Sequence, residues 1–284
     1  MSDFGAFSEF SVGSVIGRAW TVMLRKPLAF LGITLLSSIL STLVAVVLAG
    51  ILGAFFSLFN MSSDAFIITG VIGGVAGLIS MVIVPAIFQG ALTYAVFMLL
   101  LHGWTSVKDA FLRSASRVLT VILASLTMGL ALGLSSLVPA LAGAFLGFAF
   151  FGAFGMLMAI IGMIAAIVIS IILIVKWSVF ASACVVEKTG AMASLGRSSA
   201  LTKGYRGKIF GVYILVGIMV VIFSAVAEFF NGLIFGDGLL GNIFSAILST
   251  PPLTFFNVLP AVIYFSLRVA KENLTPESLA DIFD

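Results

Sequence analysis

Arg197, Lys203, Arg206 and Lys208 crowd into residues 197–208 of a chain that elsewhere runs for long stretches without a charge. They belong to the segment GAMASLGRSSALTKGYRGK (190–208), which also holds Ser194, Ser198, Ser199 and Thr202. Guanidinium and ammonium groups beside hydroxyls suit one chemistry above others: charge-assisted hydrogen bonding to phosphate oxygens. A plainer reading stands beside it. A cytoplasmic leaflet is anionic, each nearby Lys or Arg gains about 1 kcal/mol there, and the segment then acts as a topology signal that anchors a loop.

Other chemistries lack their parts. A single histidine, His102, excludes a His-rich metal cluster, and a single cysteine, Cys184, excludes an internal disulfide. Ser37, Ser38 and Ser41 have no base partner in view, and no HExxH, CxxC, GxSxG or phosphate-loop motif occurs. The apolar stretches carry no ionisable side chain at mid-depth, so ion-coupled pumping lacks its usual carboxylate. Glu228 lies some 20 residues beyond Lys208, at the far interface. The expectation is a protein without a catalytic constellation, metal or cofactor, and with no nucleic-acid partner.

The elements that position these residues follow from composition. The chain has 284 residues, 62% hydrophobic and 9% charged, with mean hydropathy +1.30. A soluble domain carries about a quarter charged residues, so the solvent here must be lipid. Apolar regions cover 28–59, 66–101, 118–138, 140–175, 209–227 and 241–267. A bilayer core of about 30 Å needs about 20 helical residues. The fold expected is an all-α integral membrane protein of about six transmembrane helices in three hairpins. Acidic Asp3 and Glu9 precede the first apolar run, which is unlike a secretory signal, so the first span should stay in the mature protein.

Charge gives the orientation. All fourteen Lys and Arg precede the first span, lie between the second and third, lie between the fourth and fifth, or follow the sixth. The opposite turns, near 60–65, 138–147 and 228–241, hold only Asp64, Glu228 and Asp237. Positive residues are retained in the cytoplasm during insertion, which puts both termini there. Trp20, Trp104 and Trp177 fall near the same interface, where indole rings settle among headgroups.

The basic segments resemble one another. IGRA, LRSA and GRSS place Arg18, Arg113 and Arg197 at equivalent positions, 95 and 84 residues apart, with two apolar spans after each. One membrane domain, 1–284, would then hold three units, 8–103, 104–189 and 190–270, and end in a cytoplasmic acidic tail, 271–284. Each unit would open with a cytoplasmic interfacial amphipathic helix; Val12, Val15, Ile16, Ala19 and Met23 form one apolar face of the first. The candidate lipid- or partner-binding residues are Arg18, Arg113, Arg197, Ser198, Lys203, Arg206 and Lys208. Gln89, Thr93, Tyr94 and Asn257 could line an intramembrane polar cavity together with the Phe-rich stretch 142–155. Glycine pairs such as Gly129/Gly133 and Gly143/Gly147 permit close helix approach within or between subunits, so an oligomer stays open.

Residues 180–215, FASACVVEKTGAMASLGRSSALTKGYRGKIFGVYIL, resemble a signature of bacterial membrane proteins related to the membrane domain of glycerophosphoryl diester phosphodiesterase. The matching positions are Val185, Glu187, Gly190, Ser194, Leu195, Arg197, Ser198, Leu201, Thr202, Lys203 and Gly204, and the ending YFSLRVAKENLTPESLADIFD is similar to that family's close. The resemblance implies a polytopic helical domain of a bacterial inner membrane. It carries no enzyme assignment, because phosphodiester chemistry in that family belongs to a separate soluble barrel with acidic metal ligands that these residues do not contain. Two functions remain: a scaffold or accessory subunit whose basic face meets anionic lipid or an acidic protein partner, and a transporter or exporter of a lipid or apolar small molecule.

Overall fold

The computed structural model describes residues 10–58, 73–74, 77, 79–103, 106–150, 153–236 and 238–272. The turn with Asp64, and Gly70, Trp104, Asp237, the His102 side chain and the tail 273–284 lie outside the described residues. The described residues are helical apart from short connections, and no strand occurs among them. We number the helices α1 (Val12–Arg25), α2 (Pro27–Leu58), α3 (Val84–His102, after a π-helical turn at Ile79–Ile83), α4 (Val107–Ala115), α5 (Val118–Ala149), α6 (Ala153–Lys176), α7 (Phe180–Val186), α8 (Ala191–Thr202), α9 (Arg206–Ile234) and α10 (Leu239–Glu272). Among the described residues six helices are long and apolar enough to cross a membrane, the fourth running through α6 and α7 from Phe154 to Val186.

Local chemistry accounts for the boundaries. Ser11 and Ser14 cap α1 reciprocally, each backbone N–H donating to the other's hydroxyl at 3.1–3.2 Å. Pro27 then opens α2 at the position where its missing N–H costs nothing. Gly103 closes α3 with φ +72 and donates to the Leu99 carbonyl at 3.1 Å. The Ser106 hydroxyl accepts from the Asp109 N–H and starts α4.

One expected turn falls elsewhere. The break placed at 138–147 comes after Ala149, because α5 carries Pro139 inside an unbroken helix. Proline removes one hydrogen bond there, whereas opening the chain in lipid would orphan several backbone groups. For the same reason α10 absorbs Pro251, Pro252 and Pro260, whereas α9 ends at Ile234 and α10 begins at Leu239, within the turn expected at 228–241.

Burial sorts the helices. In both α3 and α10, 67% of the most apolar window is buried, against 0–17% in the other four spans. These two central helices touch each other, and both touch α1, α2 and α7; α5 packs against α3, α9 against α10, and α6 against α5. Phe97 of α3 stacks edge-on against Tyr264 (5.6 Å) and Phe265 (6.1 Å) of α10. Helices α5 and α6 cross closely: a Cβ on Gly143 would stand 2.7 Å from the Gly162 Cα.

Candidate functional site

The last two turns of α10 place Tyr264, Arg268 and Glu272 at intervals of four, on one face. Across from them the chain leaves α7 at Glu187, turns, and enters α8, which carries Arg197 back over the turn. The five side chains close a clasp. Arg197 Nε donates to both Glu187 oxygens at 2.8 and 2.9 Å, and its Nη2 donates to Glu272. Arg268 Nε donates to Glu272 at 2.7 Å, and its Nη1 lies 3.6 Å from Glu187. Tyr264 donates to Glu187 at 2.6 Å and accepts from Arg268 at 3.3 Å. Two guanidinium groups thus face two carboxylates. Burial alone would weaken the hold of Arg197 on its proton, but its hydrogen bonds to Glu187 and Glu272, and their charges, outweigh it and raise its pKa.

Two of the other cations selected from sequence, Arg18 and Lys208, are also hydrogen-bonded. Arg18 donates to the Ser266 hydroxyl of α10 at 2.9 Å, and its burial lowers its pKa. Lys208 donates to the Phe10 carbonyl at 2.9 Å, and Lys271 to the Ala200 carbonyl at 2.8 Å; both ammonium groups stand within 6 Å of the Tyr205 ring centre. Ser198 faces inward: fully buried, it donates to the Lys176 carbonyl at 3.1 Å and accepts from the Val179 N–H at 3.3 Å, joining α8 to the α6–α7 turn. The Arg206 Nε is buried without a hydrogen-bond partner, and Lys203 is exposed. These contacts draw α1, α8 and the ends of α6, α7 and α10 together at one end of the bundle.

Arg113 lies apart from the clasp. It is exposed, 6.0 Å over the Tyr94 ring, and borders a cavity of about 460 Å³ with Arg117, Lys188 and Ser116. No described carboxylate lines that cavity. Arg117 Nη1 donates to the Lys188 carbonyl at 3.3 Å. Lys188 holds φ +53, the left-handed region that side chains other than Gly, Asn and Asp rarely adopt.

A second cavity, about 440 Å³ and largely apolar, sits deeper between the helices. Gln89 and Asn257 border it, and the Gln89 amide donates to the Asn257 carbonyl at 3.2 Å. Thr93 is fully buried against the core, Tyr94 belongs to the cationic cavity, and the Phe-rich stretch lies at the opposite end, with Phe145 and Phe148 exposed. The four intramembrane residues selected from sequence therefore divide between two cavities and the core. Among the described residues, no three His, Cys, Asp or Glu side chains are grouped to hold a metal ion.

Residues 10–274 match the family described as a domain of unknown function, DUF7847. The chain belongs to that family. No curated protein and no solved structure matches it. Within this DUF7847 chain, Arg117 and Lys188 were missed as site residues. Arg117 had a legible signal, its nearness to Arg113 in a basic segment, though it sits in the turn between α4 and α5. Lys188 had none, because only the turn after α7 brings it across to α4.

Proposed function

We propose that the chain is a non-catalytic, multi-pass protein of the bacterial inner membrane with both termini cytoplasmic. It serves as a scaffold or accessory subunit whose basic cytoplasmic face meets anionic lipid or an acidic partner. One observation carries this reading. Fourteen Lys and Arg fall at the end of the bundle that also carries both termini, against eight carboxylates in the sequence there (Asp109, Glu187 and Glu272, and five in the terminal segments), an excess of six positive charges. Two of those carboxylates are spent within the clasp. In this reading α1, α4 and α8 lie along the cytoplasmic interface, each ahead of a hairpin of spanning helices, and the likeness to phosphodiesterase membrane domains is one of membrane architecture alone.

Native mass spectrometry of protein extracted gently from its own membranes tests the proposal, paired with reporter fusions to the C-terminus. A co-purifying protein mass or retained anionic phospholipid, with a cytoplasmic C-terminus, is the expected result. A periplasmic C-terminus would overturn it. The deep apolar cavity favours a second reading, movement of a lipid or apolar molecule across the membrane. Proteoliposomes that show no flux across a broad lipid panel would count against that reading.

A further inference from the structure

We propose that the two cavities are halves of one site for an anionic phospholipid, its phosphate among Arg113, Arg117 and Lys188 and one acyl chain in the apolar cleft. The inference rests on the reading that this end of the bundle faces an anionic leaflet.

Charge comes first. Arg113, Arg117 and Lys188 border one cavity with no carboxylate among its lining residues, in contrast to the clasp, where each guanidinium has two. Three cations converging on one space repel each other, and an anion between them relieves that repulsion. The Lys188 backbone supports the assignment. A cation occupies a left-handed position where glycine would fit without strain, and its carbonyl fixes the Arg117 guanidinium.

Register makes the site bipartite. Both cavities are framed by α3, α5 and α7, and each helix contributes to them about one turn apart. Tyr94 borders the cationic cavity and Gln89 the apolar one; on α7 the pair is Val185 and Ala181. On α5, Arg117 at the cap is followed by Val121, Ser125 and Met128 along the apolar cleft, a stripe of about 16 Å at 1.5 Å per residue. A ligand with a phosphate head and an apolar tail matches that order, polar at the bundle end and apolar inward.

The cleft also has a lateral mouth. Helices α6 and α9 barely touch, and Ile171, Ile174, Phe210 and Ile214 on its lips are exposed where the bilayer would be. A chain can enter sideways from the membrane. Its volume of about 440 Å³ falls in the usual range of ligand pockets. Free phosphate would satisfy the cations and leave the cleft unexplained.

The test is native mass spectrometry of detergent-solubilised protein titrated with phosphatidylglycerol, phosphatidylcholine and glycerol phosphate. Wild type should bind one phosphatidylglycerol at least 10-fold more tightly than either other probe. The variant R113A/K188G removes two site cations while fitting the left-handed turn, and it should lose at least 10-fold. R25A/K26A removes two exposed cations elsewhere on the same face and should change less than 2-fold. Ile174→Trp, on the exposed lip, should weaken phosphatidylglycerol several-fold and leave glycerol phosphate unchanged. Equal losses in the two double variants would overturn the site in favour of a diffuse basic surface, with the broader reading intact. Glycerol phosphate bound as tightly as the lipid would overturn the acyl half and assign a free phosphate ligand. No preference of wild type for the anionic lipid would overturn the site, and with it the lipid-contact part of the broader reading.

Discussion

Replacing Glu187 by alanine removes the acceptor on which three side chains of the clasp converge. Arg268, with 9% of its side chain exposed, keeps Glu272 but loses its second carboxylate. Stripping a buried charge of its partner costs about 3–5 kcal/mol, and roughly half of that compensation survives through Glu272. Arg197, at 30% exposed, is partly screened and adds less than about 1 kcal/mol. The Tyr264 hydroxyl loses its 2.6 Å acceptor, worth about 1 kcal/mol. Together the loss is about 2–4 kcal/mol, or roughly 5–12 °C in melting temperature for a chain of this size. SDS titration and thermal unfolding in detergent, both followed by tryptophan fluorescence, measure it. Glu187→Gln keeps an acceptor oxygen without the charge and should fall about midway. In a double-mutant cycle with Arg268→Ala, the coupling should be about 1–2 kcal/mol. Coupling under about 0.3 kcal/mol would refute the reasoning, since the clasp would then be a set of neighbours without energetic connection.

Other outcomes follow from the same geometry. Gly143→Val forces a side chain into the α5–α6 crossing, 2.7 Å from the Gly162 Cα, and should cost about 2–3 kcal/mol in the same SDS titration, whereas Gly129→Val, with open space around it, should be near neutral. Ser198→Ala leaves the Val179 N–H and one acceptor site of the Lys176 carbonyl without their buried partner and should cost about 1–3 kcal/mol; a Thr202→Ala variant, which removes the second donor to that carbonyl, should be more than additive with it. The raised Arg197 pKa means that its contribution is fully present below the ordinary guanidinium pKa and is lost only as pH climbs through the still higher folded value. The melting difference between wild type and Arg197→Ala should therefore hold constant from pH 7 to 9.5, and a decline by half over that window would sink the assignment.

What was readable in advance and what was not divides along physical lines. Solvent, helical class and the number of spans are properties of composition, since lipid admits only long apolar helices with their backbone groups paired internally. The gathering of cations between particular spans is likewise linear information. Helix ends inside the apolar stretches were less legible, because Pro139 breaks a helix in water and not in this bundle. Pairing was not legible at all. Arg18 and Arg197 look equivalent in sequence, yet one bonds a serine hydroxyl and the other two carboxylates, because only packing brings the end of α10 against α1 and α8. Gly129/Gly133 and Gly143/Gly147 carry the same spacing, and only the second pair meets a neighbouring helix. The sequence alone determined that this is a bundle of membrane-crossing length with its positive charge at one end. The tertiary structure decided which of those charges are neutralised inside the protein and which three face an open cavity, because neutralisation depends on distances of a few ångströms between residues as far apart as Arg18 and Ser266.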